Sequence, residues 1–186
     1  MLIIIYSWLG VLGISEGIIS ILKRSNSENR KTSGDQISLY ALWLVIPSCI
    51  AFTIHLININ VITVPFNAIA VIGLSISVMG SLIRWSAIYQ LKNVFTIDLS
   101  ISTNHQLKTN GLYNYMRHPS YCGLFLNYFG ILVISHNMYL IVGFSFLIFI
   151  AINYRIFIEE KMLITEFGDT YLAYKKVTKA LFPYLF

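Results

Sequence analysis

Charge is what this sequence has least of. Only 11% of its 186 residues are Asp, Glu, Lys or Arg, against about 25% in an ordinary soluble domain. A surface facing water on every side cannot be built from so few charges. Cysteine is scarce as well. Cys49 and Cys122 fall in different apolar runs, without metal-ligand spacing, which leaves them as small packing residues. Metal chemistry is not expected. No long-period repeat, low-complexity tract or strand-borne GxGxxG occurs. The first apolar run also lacks the basic leader and small-residue cleavage site of a signal peptide, so it is expected to be retained.

What is present is apolar. Hydrophobic residues make up 56% of the chain, and the mean hydropathy is +0.70. A spanning helix needs roughly 20 apolar residues, and five runs qualify as candidates: Met1–Leu22, Ile37–Ile57, Val64–Tyr89, Ser120–Ser135 and Tyr139–Phe157. The predicted fold is an all-α integral membrane protein, with about five transmembrane helices and a C-terminal amphipathic interfacial helix. One domain, 1–186, is expected, with three spans in 1–90 and the polar chemistry in 91–186.

Basic residues follow spans one, three and five. Lys23, Arg24, Arg30 and Lys31 come after the first. Arg84, Lys92, Lys108 and Arg117 lie at the end of the third or beyond it, and Arg155, Lys161, Lys175, Lys176 and Lys179 at or beyond the end of the fifth. The connections around Asn58–Thr63 and His136–Asn137 contain neither Lys nor Arg. The positive-inside rule therefore predicts an outside amino terminus and a cytoplasmic carboxyl terminus. The net charge of +5 fits attraction to anionic lipid. No basic helix face or aromatic-basic module accompanies it, so nucleic acid is not an expected partner.

Small residues recur at helical spacing in Gly10, Gly13 and Gly17, and again in Gly73, Ser77 and Gly80, predicting close helix packing at both places. The segment Lys23–Gln36 reads as a solvated loop. Glu16, inside the first span, is a functional intramembrane carboxylate, one paired with a polar partner, or a neutral acid. His55 reads as an interface residue.

The polar chemistry collects after Leu91. Residues 91–119, "LKNVFTIDLSISTNHQLKTNGLYNYMRHP", are too long for a tight turn, and long ordered loops are commonly functional. Asn110-Gly111 marks a turn, and Pro119 suits the first turn of the next helix. A second cluster, "NYRIFIEEKMLITEFGDTYLAYKK", covers 153–176. In it Arg155 and Glu159 share a helix face, while Glu160 points about 100° away. Leu163, Phe167, Tyr171 and Tyr174 are expected to form an amphipathic helix suited to the membrane surface, which either anchors the chain there or closes over a site.

The segments "HQLKTNGLYNYMRHPSYCG" and "RIFIEEKMLITEFGDTYLAYKK", followed by "LFPYL", resemble the isoprenylcysteine carboxyl methyltransferase family of integral-membrane, S-adenosylmethionine-dependent enzymes. Spans one to three resemble it only in being hydrophobic. The resemblance is to its compact prokaryotic members and implies a prokaryotic cell membrane. It further implies cofactor contacts from His105, Gln106, Leu107 and Lys108, then Tyr113, then His118, Pro119, Ser120 and Tyr121, with Glu159 on the last long helix. Arg155 matches the substrate-binding arginine. Asp98 stands where some members carry glutamine.

The residue chemistry suits these implied roles. A carboxylate acceptor, with a reference pKa near ~4, is already ionised at neutral pH and needs alignment rather than a general base. Arg155 can hold it with a bidentate fork. The expected acceptor is an isoprenylcysteine-like or other lipophilic carboxylate reaching the site from the bilayer. The alternatives are a phospholipid-amine or small-thiol methyltransferase, and a non-catalytic membrane scaffold.

Overall fold

A computed structural model of the protein describes residues 2–22, 36–91 and 107–183. His105, Gln106 and Asp98, along with most of the loop read at 23–36, lie outside the described residues. The apolar runs become helices, as they must where no water can satisfy backbone N–H and C=O groups. In chain order these are α1 Leu2–Leu22, α2 Gln36–Asn58, α3 Ala68–Leu91, α4 Pro119–Ile134, α5 Met138–Phe167 and α6 Asp169–Val177, with a 3₁₀ turn at Gly111–Asn114. Among the described residues there is no strand, only an isolated parallel bridge between Met116 and Lys179.

Four helices, α1, α2, α3 and α5, are long and apolar enough to cross a membrane, and the protein is an all-α integral membrane protein. The remaining expected span, α4, has 16 residues. At 1.5 Å per residue it extends about 24 Å, short of a ~30 Å hydrocarbon core. It packs antiparallel along α3, in the most extensive helix pairing of the molecule.

Small residues make that pairing possible. A Cβ built on Gly80 would lie 2.5 Å from the Asn127 nitrogen and 2.7 Å from the Gly123 carbonyl oxygen. One on Gly73 would lie 2.7 Å from the Gly130 oxygen, and one on Gly123 would lie 2.6 Å from the Arg84 nitrogen. The two backbones therefore touch over about 16 Å of helix, from Gly73 to Arg84. Within the seam, Ser77 Oγ donates to Asn127 Oδ1 at 2.8 Å, and Trp8 Nε1 of α1 donates to Ser77 Oγ at 2.8 Å.

The expectation for Gly10, Gly13 and Gly17 does not hold. A Cβ at any of them would meet nothing within 4 Å, because among the described residues no helix backbone comes up against that side of α1. Instead, α1 is attached through side chains, with Ile5 packing near Ala70 and Ile134, and Leu12 near Ile50 and Ile131.

The second pairing, α2 with α5, contributes Leu42 and Ile46 against Ile148, Ile152 and Ile156, joined by Leu124 and Leu132 of α4. Helix α5 continues well past the predicted end at Phe157, so Arg155, Glu159 and Glu160 stand on one uninterrupted helix. The chain then breaks at Gly168, whose φ of 53° lies in the left-handed region. This break divides the predicted amphipathic helix: Leu163 and Phe167 end α5, whereas Tyr171 and Tyr174 belong to α6. Both tyrosines are buried against the protein rather than laid on the membrane surface. Of the basic residues that follow spans three and five, Arg84 and Arg155 are buried in the bundle.

Candidate active site

The site is assembled where α4 begins. Pro119 occupies the first helical turn, as expected, and is fully buried. His118, immediately before it, is held by its backbone, its N–H donating to the Ala180 carbonyl at 3.0 Å. The Arg117 N–H donates to the Lys179 carbonyl at 2.8 Å. The chain after α6 therefore straps the start of α4, anchored by Leu181 in the main core.

Glu160 fastens this strap to α5. Its Oε1 accepts from Arg117 Nε at 2.7 Å and its Oε2 accepts from Lys175 Nζ at 2.5 Å. Arg117 also donates to the Thr178 carbonyl. Glu160 was expected only to point away from Glu159. It does so, and the different direction gives it a different task, that of holding α6 and the strap over the end of α5.

Arg155 and Glu159 lie one turn apart on the face next to α4. Arg155 is 2% exposed. Its Nη1 donates to Ser38 Oγ at 2.9 Å and its Nε donates to the Tyr121 hydroxyl at 3.3 Å. That hydroxyl also interacts with the Glu159 carboxylate, so Tyr121 stands between the two α5 side chains. His118 Nδ1 is 3.9 Å from Glu159 Oε2, and its Nε2 is 3.5 Å from Glu160 Oε1.

Three buried polar atoms in this neighbourhood have no hydrogen-bond partner among the described residues: His118 Nε2, Glu159 Oε2 and the Tyr171 hydroxyl oxygen. Buried groups of this kind are normally satisfied, and leaving one unpaired costs about 1–3 kcal/mol. Their grouping fits a polar ligand that supplies the missing partners. Burial, followed by the charge of Glu160, pushes the Tyr171 hydroxyl well above its ordinary pKa, so at neutral pH it keeps its proton and can donate.

The other candidates are spread around this group. Tyr113 is buried on the 3₁₀ turn. Its hydroxyl donates to the Ala87 carbonyl at 3.4 Å, and its own carbonyl accepts from the Tyr174 hydroxyl. Burial and the nearby Glu159 raise its pKa as well. The predicted Asn110-Gly111 turn is present, with Gly111 at φ 66° and Gln90 Oε1 accepting from the Leu112 N–H at 2.9 Å. Ser120 is buried and turned toward α3, its hydroxyl accepting from Arg84 Nη1 at 3.0 Å. Leu107 and Lys108 are half-buried at the start of this described segment.

On the side of Arg155 toward α1 and α2 lies an open cleft with a cavity volume of about 110 Å³. Leu42, Trp43, Ile46 and Pro47 of α2, with Leu124 of α4, supply apolar walls, while Glu16, Arg84, Tyr121 and Arg155 supply the polar lining. Trp43 is 48% exposed, so the cleft reaches the outer surface of the bundle beside it.

Sequence reasoning missed Tyr171, Glu160, Ser38 and Arg84 as parts of this constellation. Arg84 carried a usable signal, a lone arginine within the apolar α3. Ser38 carried none, since its partner is 117 residues away. Among the described residues no group of His, Cys, Asp or Glu could hold a metal ion, and both cysteines are buried free thiols.

Comparison with known proteins bears on the family. The model of the isoprenylcysteine carboxyl methyltransferase (ICMT) family matches residues 71–165, just over half of the chain. The protein-S-isoprenylcysteine O-methyltransferase of Tribolium castaneum is 32% identical over 116 residues, 61% of this chain and 41% of the relative. Its counterpart in Schizosaccharomyces pombe is 31% identical over 138 residues, 73% of this chain and 56% of the relative. The chain thus spans about half the length of these curated relatives. A solved structure of the eukaryotic intramembrane Ras methyltransferase ICMT superposes with a TM-score of 0.60 at 27% identity, covering 81% of this chain and 52% of the other. The matched region runs from α3 through most of α5 and takes in Arg84, His118, Tyr121, Arg155 and Glu159; by this match the chain belongs to the isoprenylcysteine carboxyl methyltransferase family.

Proposed function

We propose that this protein is a membrane methyltransferase that uses S-adenosylmethionine to O-methylate the carboxylate of an isoprenylcysteine-like, lipophilic acceptor. The observation that carries the reading is the position of Arg155. It is a buried guanidinium on the wall of an apolar cleft, one helical turn from a carboxylate with an unpartnered oxygen. The names of the relatives, protein-S-isoprenylcysteine O-methyltransferases, supply the acceptor class.

His118, Tyr171 and Glu159 would hold the polar parts of the cofactor, with Tyr113 and the start of α4 closing around them. His105 and Gln106 remain assigned to the same task by family resemblance. The bound cofactor supplies an electrophilic methyl group on a sulfonium. Glu159 would offer its carboxylate to that cation, and Tyr171 would offer a hydroxyl proton.

The acceptor's hydrocarbon part would occupy the apolar cleft, entering from the bilayer past Trp43. Its carboxylate would meet Arg155, whose fork fixes both oxygens. Tyr121, hydrogen-bonded to Arg155 and near the Glu159 charge, would keep the acceptor group in register with the donor group. No base is needed, because the nucleophilic oxygen already carries its charge. Rate then comes chiefly from orientation, an effect worth up to ~7–11 kcal/mol, and from excluding water around the carboxylate.

The test is a methyl-transfer assay with labelled cofactor and a panel of lipophilic acids, amines and thiols. Transfer to S-prenylated cysteine carboxylates, giving a base-labile methyl ester, is the expected result. Transfer confined to amines or thiols would overturn the carboxylate assignment.

A further inference from the structure

The acceptor cleft contains two arginines, and they are held in different ways. Arg155 donates to the hydroxyls of Ser38 and Tyr121. Arg84 is clasped by a carboxylate, with Nε to Glu16 Oε1 at 2.5 Å and Nη2 to Glu16 Oε2 at 2.6 Å. Its remaining nitrogen, Nη1, donates to the Ser120 hydroxyl at 3.0 Å and the Ser120 carbonyl at 3.2 Å. All three guanidinium nitrogens of Arg84 are therefore engaged, and Glu16 occupies the two-pronged edge that an acceptor carboxylate would otherwise take.

Docking α1 does not by itself call for this pair. Replacing a buried ion pair by apolar groups is often neutral or stabilising, and Ile5, Trp8 and Leu12 already attach α1 to the bundle. Glu16 also comes from a helix outside the region matched by the family model. An uncovered guanidinium at Arg84 would compete with Arg155 for the same carboxylate, and acceptor held there would sit unreacted.

We infer that Glu16 is a specificity-determining positioning residue, which blocks Arg84 as a rival anion site and directs the acceptor carboxylate to Arg155. The inference rests on the carboxylate-acceptor reading above. It has a kinetic signature that a purely structural ion pair lacks. Unproductive binding at a second site lowers kcat and KM by the same factor and leaves kcat/KM unchanged. If the uncovered Arg84 bound the acceptor as well as Arg155 does, half the bound acceptor would be misplaced, and both constants would fall about twofold; tighter binding there would enlarge both falls.

The experiment uses full-length protein, labelled S-adenosylmethionine and an S-farnesylcysteine derivative with a free carboxylate. Glu16→Gln should lower kcat and KM together by about twofold or more at constant kcat/KM. The double variant Glu16→Gln/Arg84→Gln removes the rival charge while leaving an amide to donate to Ser120, and should return both constants toward wild type. An unchanged Glu16→Gln enzyme, a fall in kcat/KM, or a double variant no better than the single one would overturn the inference. If Glu16→Gln alone does not fold, the double variant decides by itself: near-wild-type constants support the inference and their loss overturns it. A wild-type protein inert toward the carboxylate would instead overturn the functional reading, and with it this inference.

Discussion

Two helices carry the same stripe of small residues and put it to different use. On α3, Gly73, Ser77 and Gly80 bring the backbone of α4 into direct contact. On α1, Gly10, Gly13 and Gly17 face open space. The first stripe fixes the start of α4, and with it Ser120, Tyr121 and the His118 that precedes them. The second fixes nothing, and α1 reaches the site through single side chains, Trp8 on Ser77 and Glu16 on Arg84. Backbone contact and side-chain attachment are thus assigned to different parts of one bundle.

Breaking the α3–α4 seam should have the largest effect. Gly80→Ala drives a methyl group into the backbone of α4, and such overpacking costs about 1–3 kcal/mol. Thermal unfolding in detergent should show a clear loss of stability, with S-adenosylhomocysteine affinity falling alongside it. The matched substitution Gly13→Ala should cause no loss of stability, because nothing lies within 4 Å of the added methyl group and alanine favours a helix interior by up to ~1 kcal/mol. Equal losses at the two glycines would erase the distinction between the helices. An intermediate effect is expected from Asn127→Leu, which removes the acceptor for Ser77 and Ser81. Buried hydrogen bonds between membrane helices average ~0.6 kcal/mol and reach ~1.7, so the melting shift should fall between those of Gly80→Ala and Gly13→Ala.

Much of this was legible in the sequence because it is local. Apolar run lengths gave the long helices, Asn110-Gly111 its turn, and Pro119 the start of α4. The i,i+4 spacing put Arg155 and Glu159 on one face. Where partners are distant, the pattern was silent or misleading. The α1 glycines look like those of α3, since a stripe of small residues does not say whether a partner helix comes to it. Tyr171 and Tyr174 have the spacing of a membrane-surface helix, but the break at Gly168 turns them onto the site. Glu16 and Arg84 are 68 residues apart. Each was visible as an unusual charge in an apolar run, and only the fold joins them. For His105 and Gln106 the sequence resemblance is the basis of assignment, because they lie outside the described residues.

The central claim is that acceptor and cofactor are held by different residues one helical turn apart on α5. It is tested most directly by measuring methyl transfer and S-adenosylhomocysteine affinity in Arg155→Ala and Glu159→Ala. Losing the charge-assisted contact at Arg155 should cost roughly 1.5–3 kcal/mol in the transition state, about 10–150-fold in turnover of a carboxylate acceptor, with cofactor affinity largely intact. Arg155→Lys should recover only part of the loss, because an ammonium cannot reproduce the planar fork. Glu159→Ala should weaken cofactor binding first. Normal turnover in Arg155→Ala, or unaltered cofactor affinity in a folded Glu159→Ala protein, would contradict the account.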